Sequence, residues 1–547
     1  MTVTLLSDPN KLIARFGLEF WDRLTYPGIF RGAPRLVTPV LLSVDDAETI
    51  VISDSDSDAA QALPGDIDVA TYGRYFRWDD VDGTRACLGF GATLHKVVGD
   101  REVLCDPDLP VARFQDLADF AKVSLSGFSP SQDLVLHRKS KSEIVAQWRH
   151  TRDADAERLQ DLIAKMPHGN PLAAALLRPI EGYAALDWLV EEVGVGAVMI
   201  TAPHEVEMFS GLPAEMNRQL GLIAIWVSGD DILIAAPKQL PRSDFRAEVP
   251  ARPLADLLLG KGTVAVQKND MSIGRWSELT SAGLDLCGGD EILCRFQDLR
   301  AGEDLIYFIV AGNAMLEGIA AARRAFGRHG RNGMSERDLV GAHRIGARRY
   351  LSAMGFEGRD ERCFDIVHSG ARTHLPATAS DAIVTDQDVT IKFDMGIFLK
   401  DAAGCVRGVS DIARTICTDP NLAQMHDLMR RSLVKDLIPR IRPGMTGADV
   451  YAEGLKCLAA LESELRAAGL LPDGCGVDGY SRDCGHTLQR QTISSVYFLP
   501  NNSKLVEEGM LGCVEYVWPI GDILLAVEDG YYVASDKTVP FTHEEKE

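Results

Sequence analysis

Hydrophobic positions along the chain change their period several times, and those changes lay out its plan. Residues 36–53, LVTPVLLSVDDAETIVIS, alternate β-branched and polar positions around an acidic turn and predict two short strands. More strand-like pieces follow to about residue 105. Residues 139–165, KSKSEIVAQWRHTRDADAERLQDLIAK, then switch to helical spacing, with Ile144, Trp148, Leu159, Leu162 and Ile163 on the apolar side and charges between. After MPHGNP a similar plan restarts. The helix YAALDWLVEEVG leads into the apolar strand AVMITA, then GLIAIWVS, DILIAAP and the helix ADLLLGK. Helices alternating with apolar strands indicate an α/β arrangement. RFQDL occurs at both 113–117 and 295–299, weak support for two similar modules.

The last region echoes itself more clearly. GMSERDL (333–339) and GMTGADV (444–450) each open a helix, with Ser335 and Thr446 as N-caps and Asp338 and Asp449 at the capping-box spacing. A catalytic domain of two related halves is expected. At 547 residues the chain exceeds what one core can support, since cores stop growing near ~250–300 residues. The expected division is 1–168, 169–300 and 301–547.

Charge narrows the function. A formal net charge of −22 argues against nucleic-acid partners, which need a basic footprint, and against an anionic membrane surface. No signal-peptide pattern opens the chain, and no apolar run reaches the ~18–20 residues of a membrane span. The eleven cysteines form no CxxC pair, so a zinc ribbon or disulfide framework is not indicated and a cytoplasmic setting is expected. GFGATLHK (89–96) contains GxG without a phosphate-binding continuation and reads as a turn. The twelve histidines include no HExxH.

Five segments of the last region carry chemistry in strand context. They are IKFDMG (Asp394), GVSDIARTI (Asp411), CGHTL (His486), GCVEYVW (Glu515) and LLAVEDGYYV (Glu528). One carboxylate so placed is ordinarily a solvated residue on a half-buried strand. Several together are expensive unless paired or metal-bound. Four carboxylates balance two divalent cations, and mostly oxygen donors with one imidazole suit Mn, Fe, Co or Zn. Two such ions held together lower the pKa of a water and polarise the bond it attacks.

The order Asp–Asp–His–Glu–Glu resembles the pita-bread metallohydrolases, an M24-like family that includes methionine aminopeptidase, aminopeptidase P, prolidase and metal-free creatinase. FDMG, SDIARTI, GH, EEGMLGCVEY and VEDGYYV match the family's motifs in order, and SGARTHLP (369–376) resembles the segment before the first aspartate. The resemblance implies an α+β chain, with a C-terminal pita-bread catalytic domain behind two smaller α/β creatinase-type domains, as in three-domain aminopeptidases P. It implies two divalent metals, manganese first, on Asp394, Asp411, His486, Glu515 and Glu528, with Glu515 also shuttling the proton. It further implies a homodimer acting on a short peptide or small molecule.

The family pattern also breaks. Ala377 follows Pro376 where peptidases carry a histidine, leaving His374 as a catalytic candidate and His368 as a substrate contact. The second accessory histidine falls at Ile493 or Ser494, with Arg490 and Gln491 as substitutes or anchors for an anionic substrate. GHGIG becomes GHTLQ. The two aspartates stand 17 apart, with an enlarged turn at KDAAGCVRG that is read as a surface turn. Cys484 is read as a buried thiol, while Tyr516 and Trp518 are read as core or pocket wall, Tyr516 being carried as a substrate-contact candidate. The expected activity is hydrolysis of an amide or Xaa-Pro-like C–N bond. The rivals are a lyase or metabolite hydrolase of the same fold, and a non-catalytic binding protein.

Overall fold

The computed structural model describes residues 2–7, 9–16, 40–44, 47–53, 63–72, 90–127, 133–227, 232–238, 240, 246–329, 333–374, 379–471, 474–480, 482–490, 493–521 and 523–543. They form two compact units. The first draws on Met1–Tyr75, Gly83–Trp148 and Gly182–Phe296, the second on Arg149–Glu181 and Gln297–Glu547.

The first unit holds two sheets. Strands β1 (Thr2–Leu6), β2 (Val40–Val44), β3 (Ala47–Ser53), β4 (Ile67–Tyr72), β5 (Glu102–Cys105) and β6 (Val123–Leu125) lie in the order β4-β3-β2-β1-β5-β6. Strands β7 (Leu134–Lys139), β8 (Ala197–Ile200), β9 (Ile223–Val227), β10 (Ile232–Ala236), β11 (Arg246–Arg252), β12 (Val264–Val266) and β13 (Leu286–Gly288) lie in the order β11-β7-β10-β9-β8-β12-β13. Val3, Leu94, Val103, Leu136, Met199 and Val264 share one buried cluster. Burial on both faces accounts for the continuous apolar runs in β8 and β9, where alternation would mark a one-sided sheet.

Two local readings change. FGATLHK lies in a helix, Phe90–Val98, not in a turn. Phe90, Leu94 and Val98 recur every four residues on its buried face, a helical period that the glycines masked. The long helix spans Lys141–Ala164 and buries Ile144, Trp148, Leu159 and Ile163, but Leu162 points outward at 41% exposure.

The second unit pairs two antiparallel sheets. In one, β15 (Thr390–Lys400) pairs with β14 (Asp360–Ser369), β16 (Val406–Val409) and β17 (Ile412–Cys417). The other comprises β18 (Gly485–Leu488), β19 (Ile493–Tyr497), β20 (Leu511–Ile520), β21 (Ile523–Val533) and β22 (Thr538–Pro540), in the order β19-β18-β20-β21-β22. The sheets meet where β17 lies against β21. There the Ala526 N–H donates to Thr415 Oγ1 at 2.8 Å, and the Thr415 hydroxyl donates to the Ala526 carbonyl at 3.2 Å. The helix Leu305–His329 packs on β15 and β16, and the helix Pro420–Ser432 packs on β21. The stretch Asp290–Arg328 is long and apolar enough to cross a membrane, but 83% of its apolar window is buried inside the protein, which makes it a core element.

Both capping boxes form. Ser335 opens the helix Glu336–Ala353 and Thr446 opens the helix Gly447–Ala459, each exchanging hydrogen bonds with the aspartate three residues on. Each cap also makes an isolated antiparallel bridge, Ser335 to Ile383 and Thr446 to Leu505. The internal echo therefore extends from helix start to loop pairing. The enlarged turn is not simply surface. Only Ala402 and Ala403 are exposed, while Cys405, Val406 and Arg407 are buried. Arg407 donates from Nε to Asp304 at 3.0 Å and from Nη1 to Asp401 at 3.0 Å. A guanidinium removed from water needs such partners, and the extra residues build the strand that supplies them.

Candidate metal centre

The five residues singled out above converge from both sheets. Asp394 sits midway along β15 opposite Ala413, two residues beyond Asp411, which precedes β17. His486 of β18 faces Cys513, two residues before Glu515 of β20, and Glu515 stands directly opposite Glu528 of β21. Strand alternation turns all five toward the same space. Asp411, His486 and Glu528 are buried, whereas Asp394 and Glu515 are half-buried and form the open side.

His486 Nε2 lies 3.7 Å from Asp411 Oδ2 and 3.8 Å from Glu528 Oε1. One donor atom from each of Asp411, His486 and Glu528 fits within a 4.8 Å cluster, the spacing of donors around one ion. His486 Nδ1 is 3.2 Å from the Thr487 carbonyl, which can only accept, so Nδ1 carries the proton and Nε2 keeps its lone pair.

Burial dominates the electrostatics of the carboxylates. Burial pushes the Glu528 and Asp411 carboxyls well above the carboxylate range, and each is pushed further by its neighbours: Glu528 by Asp411, Glu515 and Asp394, Asp411 by Asp394. Glu515 is raised by burial and by Asp483, with which it shares a hydrogen bond, and Asp394 is raised by burial. Burial lowers His486, favouring the neutral imidazole a metal requires. A donor set of four carboxylates and one neutral imidazole fits hard or borderline divalent ions.

Surrounding residues hold this set in place, and several carried no role in the sequence reading. Arg414, 1% exposed, donates to the Glu528 carbonyl and from Nη2 to Asp529 Oδ1 at 2.8 Å, fixing the backbone of one ligand candidate. The Cys513 thiol donates to the Asp411 carbonyl at 3.0 Å. Glu336, at the start of its helix, accepts from His368 Nδ1 at 3.0 Å, the Ser369 N–H at 3.0 Å, Arg372 Nε at 3.1 Å and the Ser380 hydroxyl at 2.8 Å. Burial would raise its carboxyl, but the bonds from His368, Ser380 and Ser369 outweigh this and hold it at about 2. Lys392, 1% exposed, lies two residues before Asp394 on the same face of β15. Burial lowers its ammonium to about 8, with Asp394 opposing, so it stays protonated at neutral pH. A lysine at i−2 in IKFDMG is the signal that the period-2 rule offers.

Of the remaining candidates, Tyr516, Arg490 and His368 are buried. Tyr516 is a correction. It points to the face opposite Glu515, fully buried, with its hydroxyl on the Gly454 carbonyl at 3.0 Å and its ring edge-on to Tyr480. Arg490 is 1% exposed, with Nε 3.4 Å from Gln297 Oε1. His368 is fully buried against Glu336 rather than open to a substrate. His374 closes the short helix Gly370–His374, half-buried, beside Thr373, whose hydroxyl accepts the Leu524 N–H at 2.8 Å. Gln491, Pro376 and Ala377 lie outside the described residues. Cys484 is a buried core thiol, as expected, and Trp518 is core as well.

Residues 313–543 match the model of metallopeptidase family M24. Over that region the chain is similar to the M24 metallopeptidases. The M24 domain has the pita-bread fold, and the family implies divalent metal ions. Over 99% of this chain and 86% of the other, the structure is similar to the X-prolyl aminopeptidase from Caenorhabditis elegans, described as a cytosolic enzyme with a di-nuclear active site, at TM-score 0.57 and 11% identity. The prolidase from Pyrococcus furiosus matches 66% of this chain and all of its own, at TM-score 0.50 and 18% identity. The Xaa-Pro dipeptidase from Bacillus anthracis matches 67% of this chain and 98% of its own, at TM-score 0.50 and 16% identity. At these identities the likeness speaks to fold. No curated protein matches the sequence.

Proposed function

We propose that this M24 protein is a dinuclear metal-dependent hydrolase that cleaves a C–N bond of a small amide- or amino-acid-like substrate. The convergence of Asp394, Asp411, His486, Glu515 and Glu528 carries this reading, because Lys392 and Arg482 offset only part of the charge of four clustered carboxylates. Asp411, His486, Glu515 and Glu528 would hold one ion, and Asp394 with Asp411 and Glu528 the other, manganese first among Mn, Fe, Co and Zn. Bound there, divalent ions supply a Lewis acid and a water of lowered pKa. Glu515, on the open side, accepts the proton of the attacking water and delivers it to the leaving nitrogen. Thr487 and Arg414 keep His486 and Glu528 in register while this happens.

Substrate class is where the family default weakens. Ile493 and Ser494 of β19 stand where a peptidase histidine would support the tetrahedral intermediate, a contribution worth about 3–4 kcal/mol in comparable sites. His368, the other nearby histidine, is spent on Glu336. A non-peptide metabolite, cleaved by hydrolysis or elimination, is therefore the second reading. A homodimer in the cytoplasm fits both. The test is turnover by the metal-loaded protein of a panel of Xaa-Pro dipeptides and longer Xaa-Pro peptides. Turnover that disappears in Glu515→Gln supports the hydrolase. Inertness on every peptide, with metal bound, transfers the assignment to the non-peptide reading.

A further inference from the structure

A cavity of about 190 Å³ lies among the helices Leu305–His329 and Glu336–Ala353 and the strands β14 and β15, and the proposed chemistry leaves it unused. Strand alternation sets it on the face of β15 opposite Asp394. Ile397, three residues on from Asp394, lines it and stands across from Arg362 of β14. Its wall is apolar at Met315, Ala347, Leu351 and Ile397, and its mouth carries the exposed Arg344, Arg348 and Arg362.

Two features of this cavity point to a ligand. The first is His343, which lines it at 1% exposure. The Met315 carbonyl acts on the ring, but neither ring nitrogen completes a hydrogen bond of good geometry among the described residues. Its Nε2 would lie 2.5 Å from a Cβ placed on Gly318, so the helix crossing is built around the imidazole. Burial keeps the ring neutral, pushing it down to about 3. Unused hydrogen-bonding capacity in a buried imidazole costs free energy, which a polar group entering the cavity recovers. The second feature is charge. Asp365 pairs with both Arg344 and Arg362, the latter at 3.6 Å, and Asp360 pairs with Arg348 at 3.3 Å. Three guanidiniums therefore share two carboxylates, leaving one positive charge in excess. Exposed pairs of this kind are weak and open to exchange. A singly charged anion with an apolar body satisfies the wall, the imidazole and the arginines together. A carboxylate matches the guanidinium fork at two points. An apolar cavity of about 150 Å³ admits benzene, which sets the size of the body.

We infer that this cavity binds a small monocarboxylate with a benzene-sized apolar body, held by Arg344 and Arg362 at the mouth and by His343 within, at a site separate from the metal centre. The test is calorimetric titration of the full-length, metal-loaded protein with benzoate, acetate and inorganic phosphate. Benzoate should bind at a single site. Acetate, which has the charge without the body, and phosphate should each bind at least about tenfold more weakly. Arg344→Gln and Arg362→Gln, both at exposed positions, should each weaken benzoate at least about tenfold. Ala347→Leu, which fills the cavity, should abolish it, and the two arginine variants decide the matter should the leucine variant not fold. No binding of benzoate overturns the inference, as does acetate or phosphate binding as tightly as benzoate. Benzoate affinity that ignores both arginine substitutions, or that falls with Asp411→Ala/Glu528→Gln in their place, overturns it as well and assigns the carboxylate to the metal centre or to the general surface.

Discussion

Arg414 shows how much of a metal site depends on residues that never touch metal. Its guanidinium, removed from water, holds the Glu528 carbonyl and the Asp529 carboxylate together. Replacing it with alanine leaves the buried Asp529 to Thr542 and Arg430 alone, and breaking a buried pair costs up to about 3–5 kcal/mol. Arg414→Ala should therefore lower the melting temperature and weaken metal binding about 10–100-fold, as loss of an outer hydrogen-bond partner does. Thermal melts beside a metal titration check both, and an unchanged metal affinity would limit Arg414 to folding. At this scale the sequence was legible where a carboxylate interrupts a β-branched run, as Val514–Glu515–Tyr516–Val517 does. It was less legible where the same rule had to be applied twice. Alternation that directs Glu515 into the site directs Tyr516 away from it, and alternation that exposes Asp394 to the centre also brings Lys392 there.

Helix starts are where the elements announce themselves. Ser-x-x-Asp and Thr-x-x-Asp need no tertiary context, because the cap hydrogen bonds are local, and both boxes form as the spacing requires. Thr446→Ala should cost about 1 kcal/mol, seen as a lower melting temperature with metal content unchanged. The first helix start carries more, since Glu336 immediately follows its cap and gathers His368, Ser369, Arg372 and Ser380. A carboxyl held at about 2 in the native state stabilises the fold above its unfolded value, and that contribution is lost as pH falls from about 4.5 toward 2. Glu336→Gln should flatten this part of the acid-denaturation curve, and an unchanged curve would contradict the assigned hydrogen bonds. Elements that rest on distant partners were not legible. The strand at Val406–Val409 exists because Arg407 finds Asp304, about a hundred residues earlier.

Across the whole molecule, the second unit concentrates at one point more negative charge than Lys392 and Arg482 offset, and that concentration is the central physical fact. The order of five motifs made its existence readable, because each ligand candidate comes from a separate strand and the order survives folding. What the order could not convey was the cations already inside, Lys392 and Arg482, whose effect depends on which strands become neighbours. Four carboxylates raised by burial, three of them also by neighbouring carboxylates, bind protons that a metal must displace, so metal should bind more tightly as pH rises and should release protons on binding. The melting temperature gained on adding metal should accordingly grow as pH rises above the ordinary carboxylate range.

The most direct measurement is elemental analysis of the full-length protein, purified without chelators and again after reconstitution, beside an Asp411→Ala/Glu528→Gln variant shown by circular dichroism to be folded. The account predicts a tightly retained divalent metal in the native protein, about two equivalents after reconstitution, and neither in the variant. A native protein that retains no metal even after reconstitution, or a variant that retains as much as the native, would contradict it.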